Sequence, residues 1–209
     1  MEMGFVQSTE KIVVGAGRPS LSPPSEYLLV VYPHGDMQDR LLEAQQQFSA
    51  GYGLDHRLDQ AQRIPRNRPH ITLSTFQAGE EAEEILIRWL RRICQDRRGF
   101  DLALNNYSGI PPHTIFLRVQ DPEPLRELLR QLDVIDEFIQ SSGWPPLRRN
   151  TRPYLSIAGG LTEQVYNKAM PDYSRKTFHG VFRVTELVLI RRRHPFDPCK
   201  TVNVFGLKS

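Results

Sequence analysis

The sequence predicts an α+β protein built on antiparallel sheet, with helices packed outside and two related lobes. Three observations lead there. Segments of strand and helix periodicity are mixed without the strict strand-helix-strand rhythm of a parallel sheet. Residues 68 to 73 read RPHITL and residues 152 to 157 read RPYLSI, so one phrase occurs twice, its rings 84 residues apart (70 to 154). A chain of 209 residues, 39% hydrophobic and 24% charged, also buries a full core as one domain or two tightly coupled halves.

Residues 15 to 25, GAGRPSLSPPS, are rich in Gly, Pro and Ser and lack periodicity. Residues 1 to 25 therefore read as a flexible N-terminal tail, and 26 to 209 as a single bilobal domain. EYLLVVY (26 to 32) reads as a buried strand, and DMQDRLLEAQQQF as a helix with Met37, Leu41, Ala44 and Phe48 inward. HITLSTF (70 to 76) alternates as a strand and leads into EEAEEILIRWLRRIC, whose Ile85, Trp89 and Ile93 form an apolar stripe. Acids open that helix and arginines close it, as the helix dipole favours.

FDLALNN (100 to 106) and HTIFLRV (113 to 119) read as a hairpin around a Tyr-Ser-Gly-Ile-Pro-Pro turn. One helix is expected over DPEPLRELLRQLDVIDEFI, with Leu125, Leu128, Leu132, Ile135 and Ile139 inward, and a short one over TEQVYNKAM after the second phrase. HGVFRVTELVLIRR (179 to 192) and TVNVFGL (201 to 207) close the sheet.

The formal net charge is only +3, yet the cations cluster as RIPRNR (63 to 68), RRICQDRR (91 to 98), LRRNTR (147 to 152) and RRRH (191 to 194). A modest net charge can hide a positive cleft. Cys94 and Cys199 have neither metal spacing nor a disulfide framework, which fits reduced thiols and a cytoplasmic location, with Cys94 in the core. No segment approaches the roughly 18 apolar residues of a membrane span.

The duplicated phrase carries the chemistry. Alternation along a strand puts Arg68, His70 and Thr72 on one face, and Arg152, Tyr154 and Ser156 on one face of the second copy. Each strand thus offers a guanidinium, a ring and a hydroxyl in a row. Two such rows across a groove suit a phosphodiester: Thr72 and Ser156 donate to non-bridging oxygens, Arg68 and Arg152 grip phosphate, and the two rings act as base and acid. This design requires no metal or other cofactor, and the histidines lack ligand spacing.

On these residues the sequence resembles the two-histidine (2H) phosphoesterases, which include the 2'-5' RNA ligase-like proteins and cyclic nucleotide phosphodiesterases. The likeness covers about residues 26 to 207. It rests on PHITL after a strand-helix unit, on NNYSGIPPHTIFLRV, on the second phrase after a long helix, and on FRVTELVLIRR. It implies a pseudo-two-fold fold in which two antiparallel sheets line a central cleft, with one His-x-Thr/Ser motif from each lobe. It implies metal-independent action on RNA ends or small phosphorylated nucleotides, at 2',3'-cyclic phosphates or 2'-5' linkages. No membrane partner is expected, and a monomer is the expectation for an oligomeric state that the sequence does not give. His70 and Thr72 match the first motif and Ser156 the hydroxyl of the second, whereas Tyr154 departs from it.

An imidazole near pKa 6.5 both takes and gives a proton at neutral pH, while a phenol near 10 is a poor base. Three readings of Tyr154 follow: a slow or inactive protein that binds RNA ends or nucleotides, a substitute acid, or transfer of the role to another histidine. His113, which begins a strand after Pro111-Pro112, is the candidate for the last and is otherwise an exposed strand-start residue. Tyr107, in the expected turn, either stacks on a base or packs. Arg148 and Arg149 read as surface charge or as general steering of a polyanion; Trp89 reads as core; His34, His56, His179 and His194 read as surface or loop residues. Were residues 70 and 154 far apart, the repeat would be coincidence and the chain an interaction domain.

Overall fold

A computed structural model describes residues 23–53, 68–120, 122–194 and 197–208. The tail through residue 22, His56 and most of the RIPRNR cluster lie outside the described residues. The strands are β1 (Ser25–Val31), β2 (Ile71–Ala78), β3 (Phe100–Ile110), β4 (Thr114–Gln120), β5 (Arg148–Arg149), β6 (Tyr154–Ala158), β7 (His179–Val184), β8 (Glu186–Arg192) and β9 (Lys200–Gly206). The helices are α1 (Asp36–Gly51), α2 (Glu83–Gln95), α3 (Glu123–Arg130), α4 (Asp133–Ser141) and α5 (Glu163–Tyr173).

The strands form one curled sheet in the order β7-β3-β4-β6-β2-β1-β8-β9, with β5 added beside β2. All its strand pairs are antiparallel. The order reads symmetrically about the junction of β6 and β2, so the two expected sheets are four-stranded halves of one sheet. They meet at a single pair, Ile71 opposite Leu155. α1 packs on β6 and β7, α5 on β3 and β4, α3 on β2, and α2 on β9.

The main core lies between sheet and helices. Met37, Leu41, Ala44 and Phe48 of α1 are buried as their spacing predicts, and so are Leu125, Leu128, Leu132, Ile135 and Ile139. Gly180 lets α1 approach β7, since a Cβ there would collide with Met37. On α2 the buried row is Leu86, Leu90 and Cys94, while Ile85, Trp89 and Ile93 lie half-buried at its edge. The apolar surface of this helix is wider than one row, and its deepest line runs one residue further along than the stripe suggested. Burial pushes the Cys94 thiol up to about 12.

Three elements depart from the expected pattern. The hairpin turn is shorter, because β3 continues to Ile110. Asn106 sits at φ 49° as the extra residue of a bulge, exchanging hydrogen bonds with Phe178, so Tyr107 is a strand residue. The run 179 to 192 is two strands in opposite halves, parted only by Thr185.

The helix expected over 121 to 139 breaks at Gln131–Leu132, where tight bonds from Gln131 to Leu128 and Leu132 to Leu129 end the first segment. Arg149 fastens that break. It donates to the Leu129 carbonyl at 3.3 Å, to Asp136 at 3.3 Å and to Asp133 at 2.7 Å. Arg149 is therefore a structural brace, because its donors are committed to three acceptors. Burial pushes the Asp136 carboxyl up, but the Leu147 amide, Gln140 and Arg149 outweigh it and hold Asp136 below the carboxylate range. Its contribution to stability is present above the unfolded carboxylate pKa and is lost as pH falls through the depressed folded value. Arg149→Ala is expected to cost about 2 kcal/mol in denaturant unfolding at pH 7, a buried-pair loss discounted for partial exposure. A cost under about 0.5 kcal/mol would contradict the brace.

Candidate active site

β2 and β6 lie side by side at the junction of the halves, and their pairing fixes the site. With Ile71 opposite Leu155, the antiparallel register sets His70 beside Ser156 and Thr72 beside Tyr154. His70 and Tyr154 are then diagonal neighbours, about 7–8 Å apart in a flat ladder. All four side chains line one cleft of about 410 Å³, together with Arg68, Asn150 and Gly159 and the α1 residues Leu42, Gln45, Gln46 and Ser49. The two phrases form two walls of one cleft, so residues 70 and 154 are not far apart.

Each motif strand carries a bulge just after its hydroxyl residue. On β2 the pairing with β1 skips Leu73, and on β6 the pairing with β4 skips Ile157. The carbonyl before each bulge is held by a side-chain amide: Asn150 Nδ2 donates to Thr72 O at 2.9 Å, and Gln45 Nε2 to Ser156 O at 3.1 Å. Asn150 also donates its backbone N–H to Leu73 O at 2.8 Å. These clamps re-aim the hydroxyls and fix the bends. The sequence reading missed both residues. Asn150 stands two residues before the second phrase, but nothing local marks Gln45 among three consecutive glutamines.

His70 Nδ1 lies 2.8 Å from the Arg68 carbonyl. A carbonyl only accepts, so Nδ1 carries the proton and Nε2 keeps its lone pair in the neutral ring. Burial, and next the Arg192 charge, lower the His70 pKa below 6.5, against the raising effect of the Arg68 carbonyl. The ring also packs edge-on against Tyr32, with centroids 5.8 Å apart. Tyr154 stacks obliquely on Phe116 at 4.7 Å.

The remaining predicted residues are distributed differently. Arg68 lines the cleft, but its Nε and Nη2 are committed to Gln38 and to Pro33 O and His34, and it lies over the Tyr32 ring at 4.6 Å. Arg152 is exposed outside the cleft lining. Tyr107 points to the helical side, edge-on to Tyr173 at 4.9 Å and Phe178 at 6.2 Å, so it does not present a face for stacking. His113 sits at the far end of the hairpin against Leu161 O at 3.4 Å, away from the cleft lining. His34 lies 3.9 Å from Glu186, and His194 lies 2.9 Å from Asp197. Among the described residues no three His, Cys, Asp or Glu side chains gather as a metal site, and no helix is long and apolar enough to cross a membrane.

The family model of the 2'-5' RNA ligase superfamily matches residues 38–195. The chain belongs to the 2'-5' RNA ligase superfamily. Solved structures agree on its fold. Escherichia coli LigT complexed with 3'-AMP is 16% identical with a TM-score of 0.58, covering 90% of this chain and 100% of that one. TT0787 of Thermus thermophilus is 16% identical with a TM-score of 0.56, covering 88% and 98%. LigT complexed with ATP gives 17% and 0.55, covering 89% and 99%. No curated protein matches. As a 2'-5' RNA ligase superfamily member, this chain has a tyrosine on one wall of the cleft opposite the histidine of the other.

Proposed function

We propose that the protein is a phosphodiesterase acting on RNA ends or small nucleotides without a metal, at 2',3'-cyclic phosphates or 2'-5' linkages, with His70 as base and Tyr154 as proton donor. The observation that carries this reading is the 2.8 Å bond from His70 Nδ1 to Arg68 O, which leaves Nε2 as the acceptor. LigT has been crystallised with 3'-AMP, ATP and NADP+, so a protein of this fold holds small phosphorylated nucleotides.

In the proposed step, Nε2 takes a proton from water as the water oxygen bonds to phosphorus. The bond from phosphorus to the 3'-oxygen breaks, leaving a 2'-phosphate, and the departing oxygen takes the phenol proton of Tyr154. The imidazolium proton returns to the phenolate through solvent. Thr72 and Ser156 donate to the non-bridging oxygens, whose charge grows in the transition state. A phenol is a stronger acid than a ribose hydroxyl, so it can give this proton, but it makes a poor base. The second reading, a protein that binds RNA ends or nucleotides without turnover, is favoured by that same replacement of an imidazole.

The test is hydrolysis of 2',3'-cyclic nucleotides across pH. Because His70 must be neutral and its pKa lies below 6.5, kcat/KM is expected to be level around pH 7 and to fall on the acid side with a midpoint below 6.5. Turnover with an acid limb above pH 7 would assign the base elsewhere. No turnover of cyclic or 2'-5' linked substrates leaves the binding reading.

A further inference from the structure

The rung of the sheet that passes through Tyr154 differs on its two sides. Towards the second half, Tyr154 faces Arg118 on β4, Arg118 faces Asn105 on β3, and Asn105 faces His179 on β7. Directly opposed residues of an antiparallel sheet share a face, so these side chains stand on the same side as the cleft. Towards the first half the rung runs through Val30, Val188 and Val204. Val30 and Val188 belong to a small buried apolar cluster with Leu28 and Ile190. One wall of the cleft is polar and open, while its counterpart is apolar, buried at Val30 and Val188 and exposed at Val204.

The open wall has the components of a nucleic-acid surface. Arg118 is exposed and, among the described residues, has no ion-pair or hydrogen-bond partner. Asn105, the next residue of the rung, donates its Nδ2 to Gln120 at 3.4 Å. The Phe116–Tyr154 ring pair forms an aromatic step between the cleft and Arg118. Val181, opposite Ala103 on the next rung, is 64% exposed. His179, at the far end of the rung, is likewise exposed.

We propose that this wall carries the strand of a single-stranded RNA whose end is held between His70 and Tyr154. The nucleotide beyond the reacting phosphate rests on the Phe116–Tyr154 step, and the next phosphate is gripped by Arg118. From Tyr154 to His179 the rung crosses three strand spacings, roughly 14 Å, more than a mononucleotide in the cleft occupies. Stacking and charge together suit any base sequence. The proposal rests on the functional reading above and narrows its substrate to an oligonucleotide.

The test measures binding of a fluorescent 3'-phosphorylated oligoribonucleotide and of a 3'-mononucleotide, with hydrolysis of their 2',3'-cyclic forms alongside. Three proteins are compared: wild type, Arg118→Ala, and Arg88→Ala, the last removing an exposed charge from the outer helix α2. Arg118→Ala is expected to weaken oligonucleotide binding about tenfold more than mononucleotide binding. It also flattens the slope of log affinity against log salt by about 0.7, one phosphate contact to a single strand. Arg88→Ala stays within about twofold of wild type on this scale.

Equal losses on both ligands, an Arg88→Ala effect as large as that of Arg118→Ala, or no oligonucleotide binding would overturn the proposal. Arg118-dependent binding without turnover supports the track and sinks the enzymatic reading. Turnover indifferent to Arg118 does the reverse.

Discussion

Alanine at position 70 is expected to cut turnover of 2',3'-cyclic substrates by about 10²- to 10⁴-fold, the usual cost of losing a positioned base. Affinity for a phosphorylated product should change little, because Thr72, Ser156 and the carbonyl clamps on Asn150 and Gln45 remain. Steady-state kinetics combined with product binding separates the two effects. A loss confined to kcat identifies a group that acts in the transition state, and a matching loss of affinity would identify a binding residue instead. Removing the ring also removes its edge contact with Tyr32, so thermal unfolding must show the variant folded at the assay temperature. Survival of most of the activity would eliminate His70 as the base.

Histidine in place of Tyr154 is expected to raise the same turnover by about 10²-fold. The substituted ring stands on a strand already bent at Ile157 and held through Ser156 O, so an imidazole is presented to the cleft from the same wall. With two imidazoles, either can take the proton the other gives. Phenylalanine at 154 completes the comparison, since it keeps the ring against Phe116 and deletes only the hydroxyl. A loss of about tenfold or more with phenylalanine means that the phenol donates in the natural protein. Equal rates for tyrosine and phenylalanine, with a large gain for histidine, mean that the acid is absent and the natural protein chiefly binds. If histidine brings no gain, the wall carrying residue 154 does not move the proton.

The elements that could be read in the sequence were those in which local pattern and tertiary role coincide. His70, Thr72, Tyr154 and Ser156 were legible because strand alternation puts ring and hydroxyl on one face, and the repeat shows that two strands do so. The inward rows of α1 and of α3–α4 followed from helical spacing alone. Tyr107 was misplaced because Gly-Ile-Pro-Pro resembles a long turn, while the bulge at Asn106 that keeps the strand going is set by Phe178, some seventy residues away. Arg149 resembled free surface charge, because its acceptors lie on helices the sequence merged into one. Gln45 and Asn150 were invisible for the same reason: a clamp on a carbonyl has no signature until the carbonyl's strand is bent beside it. The break at Thr185 has no turn residue at all. It comes from the curl of the sheet, which carries one extended chain from the edge of the second half into the first.

The interleaving of the halves sets an order of assembly. β1 is synthesised long before its neighbour β8, and Val30 finds Val188 only when β8 has been made. The half that carries Tyr154, made of β3, β4, β6 and β7, can close before β8 and β9 exist. The half that carries His70 cannot. Contacts of such long sequence separation slow folding, and a growing chain that emerges N-terminus first exposes the unpaired edge of β1 throughout. The nascent protein thus acquires its phenol-bearing wall early and its imidazole-bearing wall last, and it reaches the ribosome's exit with the base half still waiting for a partner strand.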